Sequence, residues 1–140
     1  MSGDANRNGA EVELARGVIR AWEHHDLEWL LEHSTSDVEL RPYMWTDLPF
    51  RGTEGITVFV KEYLAVRRPL TIEVERVRKR ADPVALDVHL RGHLHVSHAD
   101  FDEHPTFVFW MRDGRLARYE GHIDPAAIEE ATARSLAEGG

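Results

Sequence analysis

The sequence predicts an α+β domain, with helices in its first half and a bent antiparallel sheet in its second. Three observations carry this. Apolar residues recur at helical spacing from Ala10 to Leu31 and again from Ile56 to Leu64. From Val84 the period becomes two: Val84, Leu86, Val88, Leu90, Leu94 and Val96 share one parity, and Asp87, His89, Arg91, His93 and His95 the other. Such alternation puts one face of a strand in a core and one face outside it. Finally, Ala81-Asp82-Pro83 and Asp113-Gly114 are turn sequences separating strand-like runs, and Asp-Gly suits the positive φ of a two-residue hairpin.

Taken in order, residues 1–9 are small and polar and are expected to be disordered, leaving a single domain over 10–138. Val12, Ala15, Ile19 and Trp22 form the buried stripe of a first helix. His24-His25-Asp26 interrupts it, and Asp26 is placed to cap a second helix carrying Leu27, Leu30 and Leu31. Ser36-Asp37 opens an extended piece, Val38 to Arg41, closed by Pro42. The irregular stretch from Tyr43 to Phe50 is rich in aromatics, which either pack in the core or line a cavity. Thr53 is placed to cap a third helix running from Glu54 toward Val66.

Leu70 to Arg80 reads as a strand whose apolar parity switches between Val74 and Val77, which predicts a β-bulge and a bend. Thr106 to Met111 is apolar on both parities, as in a strand covered on both faces. A last run, Leu116 to Ile123, stops at Asp124-Pro125 and is followed by an alanine-rich C-terminal helix.

Composition narrows the function. A chain of 140 residues is one domain large enough to bury a core. With no cysteine there is no disulfide framework, no thiol catalysis and no thiolate metal site, which fits a reducing compartment. A formal charge of -8 repels phosphate backbones, so nucleic acid is not an expected partner. No apolar run approaches the roughly 18 residues of a membrane span, and the N-terminus has no signal-peptide core. A cytoplasmic location without membrane contact is expected.

The order of elements now carries a resemblance. The helix break at His25-Asp26 and the strand Ser36-Asp37-Val38-Glu39-Leu40 lead to the helix start Arg51-Gly52-Thr53-Glu54-Gly55-Ile56. A long bent hairpin and a final strand from Gly114 to Asp124 complete the set. Together they resemble the NTF2-like superfamily, and within it the SnoaL-like branch, over roughly residues 10–130. The resemblance implies a conical α+β barrel, in which a strongly curved, mostly antiparallel sheet wraps a pocket closed by the N-terminal helices. Polyketide cyclases, ketosteroid isomerase, limonene-epoxide hydrolases and scytalone dehydratase share this fold, so fold alone does not fix function.

Carried over residue by residue, Asp124 matches the carboxylate that moves a proton in the cyclases and epoxide hydrolases. The isomerase base would fall on Arg41 or Tyr43, and its oxyanion tyrosine on Val18 or Ile19. The inward arginine and aspartate of the hydrolases would fall on Val88 and Leu90. Both of those mechanisms are therefore incomplete here.

The expected function is binding of a small hydrophobic molecule, polyketide-, steroid- or terpene-like, in an apolar cavity, with cofactor-independent acid/base chemistry as a further step. Asp124 would move the proton, His122 would assist and Tyr43 would donate to a developing oxyanion. Asp124 suits equally well the capping of the helix that Pro125 begins. Trp45, Tyr63, Trp29, Val88 and Leu90 are the expected ligand-binding residues. A non-catalytic binder or scaffold is the alternative, and a cupin-like metal enzyme using His93 and His95 a third reading. The spacing of those histidines, with Asp100 and His104 nearby, invites a metal, but their polar parity faces outward and no metal or cofactor is expected. A homodimer is expected because the doubly apolar strand Thr106 to Met111 offers more sheet surface than the helices cover.

Overall fold

The computed structural model describes residues 3–43 and 48–135. Their order is α1 (Gly3–His24), α2 (Leu27–Glu32), β1 (Ser34–Arg41), β2 (Phe50–Arg51) and α3 (Gly52–Val58), which continues as a π-helical stretch, Phe59–Leu64. Then follow β3 (Arg67–Arg80), β4 (Val84–Leu94), β5 (Ala99–Glu103), β6 (Thr106–Arg112), β7 (Arg115–His122) and α4 (Pro125–Ala133). The architecture is the α+β one expected, although α1 already begins inside the segment expected to be disordered.

One seven-stranded sheet runs β2-β1-β7-β6-β4-β3, with β5 paired to β4 off that path. Every pairing is antiparallel except β1 with β7. The sheet is not closed, because β2 and β3 end the path without pairing to each other. Its bend arises where the sequence places it. Val74 pairs with Val88 and Arg76 with Asp87, so Glu75 is the extra residue of a bulge. A second register shift follows between Val77 and Lys79. Each inserted residue increases local twist and bends the strand.

α1 packs on the inner face of this sheet. Val12, Ala15, Val18, Ile19 and Trp22 are all buried, and the Trp22 ring meets Phe107, Phe109 and Tyr119 at centroid distances of 6.0, 5.9 and 4.6 Å. Asp26 caps α2 as its position requires, accepting from the Trp29 N–H at 3.1 Å. α3 starts differently from expectation. Its first residue is Gly52, at φ +68, and Arg51 precedes it in extended conformation without a side-chain cap bond. Thr53 therefore lies inside the helix instead of capping it.

Asp113 and Gly114 turn β6 into β7 with φ of 54 and 74, the left-handed geometry their sequence predicts. Strand β4 is shorter than its alternation. It ends at Leu94, residues 95–98 form a turn, and Val96, on the core parity, is 83% exposed. Beyond the turn, β5 returns antiparallel along β4, a strand that no apolar alternation in the sequence marks.

Residues 106–110 of the doubly apolar strand β6 are buried within one chain, and Met111 is partly buried. Phe107 and Phe109 point into the main core, while Val108 and Trp110 form a second cluster with Ala85 and Ala131 of α4 on the outer face. The Trp110 indole donates to the Arg134 carbonyl at 3.0 Å. The C-terminal helix thus covers Val108 and Trp110 of β6. Among the described residues no helix is long and apolar enough to cross a membrane.

Candidate functional site

Between the inner sheet face and the π-helical stretch lies a cavity of about 260 Å³, at the small end of ligand sites. Its buried end is aromatic: Trp22, Phe59, Phe107 and Tyr119 line it and are each at most 3% exposed. Tyr63 and Arg67 form a side wall, and Tyr43 and Glu103, both half-buried, its more open end.

The wall is built locally. Phe59 and Tyr63, four residues apart, stack at 4.9 Å with 12° between planes. Four residues further on, Arg67 Nη1 donates to the Tyr63 carbonyl at 2.7 Å, and its guanidinium lies 3.5 Å from the centre of the Tyr63 ring. The arginine is thereby fixed in orientation at the cavity.

Burial pushes the Tyr63 phenol above its ordinary pKa, with Arg67 opposing. It pushes Tyr119 well above, reinforced by Tyr63. Tyr43 is raised by burial and by the nearby Glu103 charge. All three phenols therefore stay protonated at neutral pH and act as hydrogen-bond donors. Among the described lining residues Glu103 is the one carboxylate and Arg67 the one cation. The cavity can thus hold an apolar body and offer donors to one polar group.

Of the residues the sequence singled out, Tyr43, Tyr63 and Leu90 line this cavity. Val88 does not; it is fully buried in the core. Trp29 also lies elsewhere, because it packs on α1, where a Cβ on Gly17 would come within 2.7 Å of its ring. Its other neighbour is the stacked imidazole of His33, at 3.9 Å. Trp45 falls outside the described residues.

His122 and Asp124 are not brought to the cavity. On β7 the inward parity is that of Tyr119 and Gly121, so Glu120 and His122 turn to the outer face. There His122 Nε2 lies 2.8 Å from Glu120 Oε1. Asp124 is exposed at the N-cap position of α4; its carbonyl accepts from Ile128 N–H at 2.9 Å, but its carboxylate makes no cap bond. Neither of the two roles expected for that carboxylate is visible in its contacts.

Arg67, Glu103 and Trp22 were missed. For Arg67 a signal existed, an arginine one helical turn after Tyr63. Glu103 had none, since its strand went unrecognised. The histidines at 93 and 95 do not gather a ligand set: His93 Nδ1 pairs with Asp100 Oδ1 at 2.8 Å, and His95 is exposed in the turn.

An open, bent sheet crossed by helices around an apolar cavity is the ketosteroid isomerase-like, or NTF2-like, arrangement. A protein of that fold from Catenulispora acidiphila, crystallised with trimethylamine, superposes with TM-score 0.69 at 12% identity, covering 86% of this chain and 92% of that one. RV0760c from Mycobacterium tuberculosis, in complex with estradiol-17beta-hemisuccinate, gives TM-score 0.67 at 16% identity, covering 84% and 95%. An NTF2-like protein of unknown function from Burkholderia pseudomallei gives 0.70 at 14%, covering 89% and 98%. Within this fold the family is also defined. Residues 15–119 match the model of the SnoaL-like domain, and the chain belongs to that family. A search of curated protein sequences returns no match.

Proposed function

We propose that this chain binds a small, mainly apolar molecule carrying one polar group in the cavity beneath Trp22. The observation that carries the reading is the convergence of Arg67 and the Tyr43, Tyr63 and Tyr119 phenols on an otherwise aromatic and aliphatic space. Apolar walls supply affinity, and a few fixed donors supply orientation. The small molecules held by two of the similar folds agree with this use of the fold.

A fluorescent apolar probe titrated into the protein tests it. Binding is expected in the wild type and is expected to be lost in Leu90→Trp, which fills the cavity from β4. A Leu90→Trp variant that melts normally and binds the probe as before would overturn the proposal.

A catalytic reading is favoured by one observation, the position of Glu103 beside Tyr43. In that reading Glu103, and not Asp124, is the acid/base carboxylate. Glu103→Gln would then abolish turnover of a bound carbonyl or epoxide compound while leaving its affinity within a few-fold. Unchanged turnover in that variant would remove the acid/base role and leave a binding protein.

A further inference from the structure

We infer that the outer face of the sheet carries a site for a divalent transition-metal ion of the zinc type, formed by His89, His104 and Glu75. This lies on the other side of the sheet from the cavity and is independent of what the cavity binds.

The site is assembled by three neighbouring segments. β4 runs between β3 and β5, and His89 on β4 pairs with Glu73 on β3. His104 directly follows β5, whose Asp102 and Glu103 pair with Arg91 and Leu90. Its imidazole stacks on that of His89, with centroids 4.3 Å apart and 14° between planes. Glu75 reaches the same place because it is the extra residue of the β3 bulge, and bulges re-aim side chains.

One ligand atom from each of His89, His104 and Glu75 lies within 4.8 Å of the others. A tetrahedral ion with bonds of about 2.0–2.1 Å needs ligand atoms roughly 3.3 Å apart. His104 Nδ1 and Glu75 Oε1 are already at 2.9 Å. Both of these residues are exposed, so rotation of their side chains suffices to close the set. His89 is the fixed member: only 19% exposed, it has its Nε2 2.7 Å from Asp102 Oδ1. A carboxylate on a metal-binding imidazole sets the tautomer and holds the ring.

The donor set decides the ion. Two imidazoles and one carboxylate suit zinc and its neighbours, whereas calcium and magnesium require oxygen throughout. The fourth position faces solvent, where Glu75 and His104 also border a groove against α4. A bound ion would tie β3 to the end of β5.

The test is a titration of the full, untagged chain, stripped with chelator, with zinc chloride against a chromophoric competitor. One ion per chain is expected, and affinity should fall by about tenfold or more in each of His89→Ala, His104→Ala and Glu75→Gln. His93→Ala should bind zinc unchanged, and millimolar magnesium should not displace it. On the wild type, which needs no variant to fold, zinc should shift the imidazole resonances of His89 and His104 together. No saturable binding, binding equally reduced by His93→Ala, displacement by magnesium, or zinc uptake that leaves those two resonances unmoved would each overturn the inference.

Discussion

Arg134 Nη2 donates to Glu120 Oε1 at 2.6 Å, and this bond joins the end of α4 to the C-terminal half of β7. Glu120 is 3% exposed, and it also accepts from Arg118 Nε at 2.7 Å and pairs with His122 at 2.8 Å. Lys79 adds a bond to the Thr132 carbonyl at 2.7 Å. The helix that covers Val108 and Trp110 is thus fastened at its C-terminal end by polar groups around one buried carboxylate.

Replacing that carboxylate gives the first prediction. Burial raises the Glu120 pKa, but the hydrogen bonds of His122 and Arg118 and the charges of Arg118 and Arg134 outweigh it and bring it to about 2, below the ordinary 4.5. A depressed carboxylate stabilises the fold above the unfolded pKa, and that stability is lost as pH falls through the folded one. Glu120→Gln is expected to cost about 2–3 kcal/mol at neutral pH, discounted for the partly exposed arginines. Urea melts between pH 7 and about 2.5 should show the difference shrinking below the unfolded pKa. A deficit that stays constant with pH would assign the loss to packing instead.

Helix capping gives a paired test. Asp26→Ala removes the bond to the Trp29 N–H and should cost about 0.5–2 kcal/mol. Thr53→Ala should cost much less, because Thr53 is exposed inside α3 and its carbonyl, which accepts from Thr57 Oγ1 at 2.9 Å, is kept in alanine. Thermal melts that reverse this ranking would contradict the assigned helix starts.

Asp124→Ala is expected to change stability by no more than about 0.5 kcal/mol, as for surface positions without a specific partner. Probe binding should also be unaffected. A loss above about 1 kcal/mol in denaturant melts would mean that the carboxylate caps α4 in solution.

The sequence made the strands and their bend legible where local chemistry decides: the parity switch at Val74–Val77 became the Glu75 bulge, and Asp113-Gly114 became the hairpin. It failed where partners decide. Ala99–Glu103 is an acid-rich strand that exists because β4 pairs with it, and no apolar alternation marks it. On β7 the inward face is hard to read from sequence for a related reason. Tyr119 and Glu120 are adjacent and both buried, one in the core and one in an ion network, so hydrophobicity does not tell which parity faces inward. The cavity is lined from the parity of Tyr119, whereas His122 shares the parity of Glu120 and pairs with it at 2.8 Å.

Gly121 offers the last prediction, since it sits where β7 passes under Tyr43. A Cβ there would lie 2.8 Å from the Tyr119 hydroxyl, 2.8 Å from the Tyr43 backbone nitrogen and 3.1 Å from Tyr43 Cβ. The hydroxyl can move with its ring only against the packed Trp22 and Phe107, and the backbone nitrogen only if the chain after β1 shifts. Both tyrosines line the cavity. Gly121→Ala should therefore reshape the site while costing about 1–3 kcal/mol, the range for overpacking. Gly9→Ala is the matched control, because a Cβ there meets nothing within 4 Å. Probe titrations and melts of both variants decide the matter: Gly121→Ala should weaken binding and lower the melting temperature, and Gly9→Ala should do neither. If Gly121→Ala binds and melts as the wild type does, then Tyr43 does not sit against β7 and the open end of the cavity is not built as described.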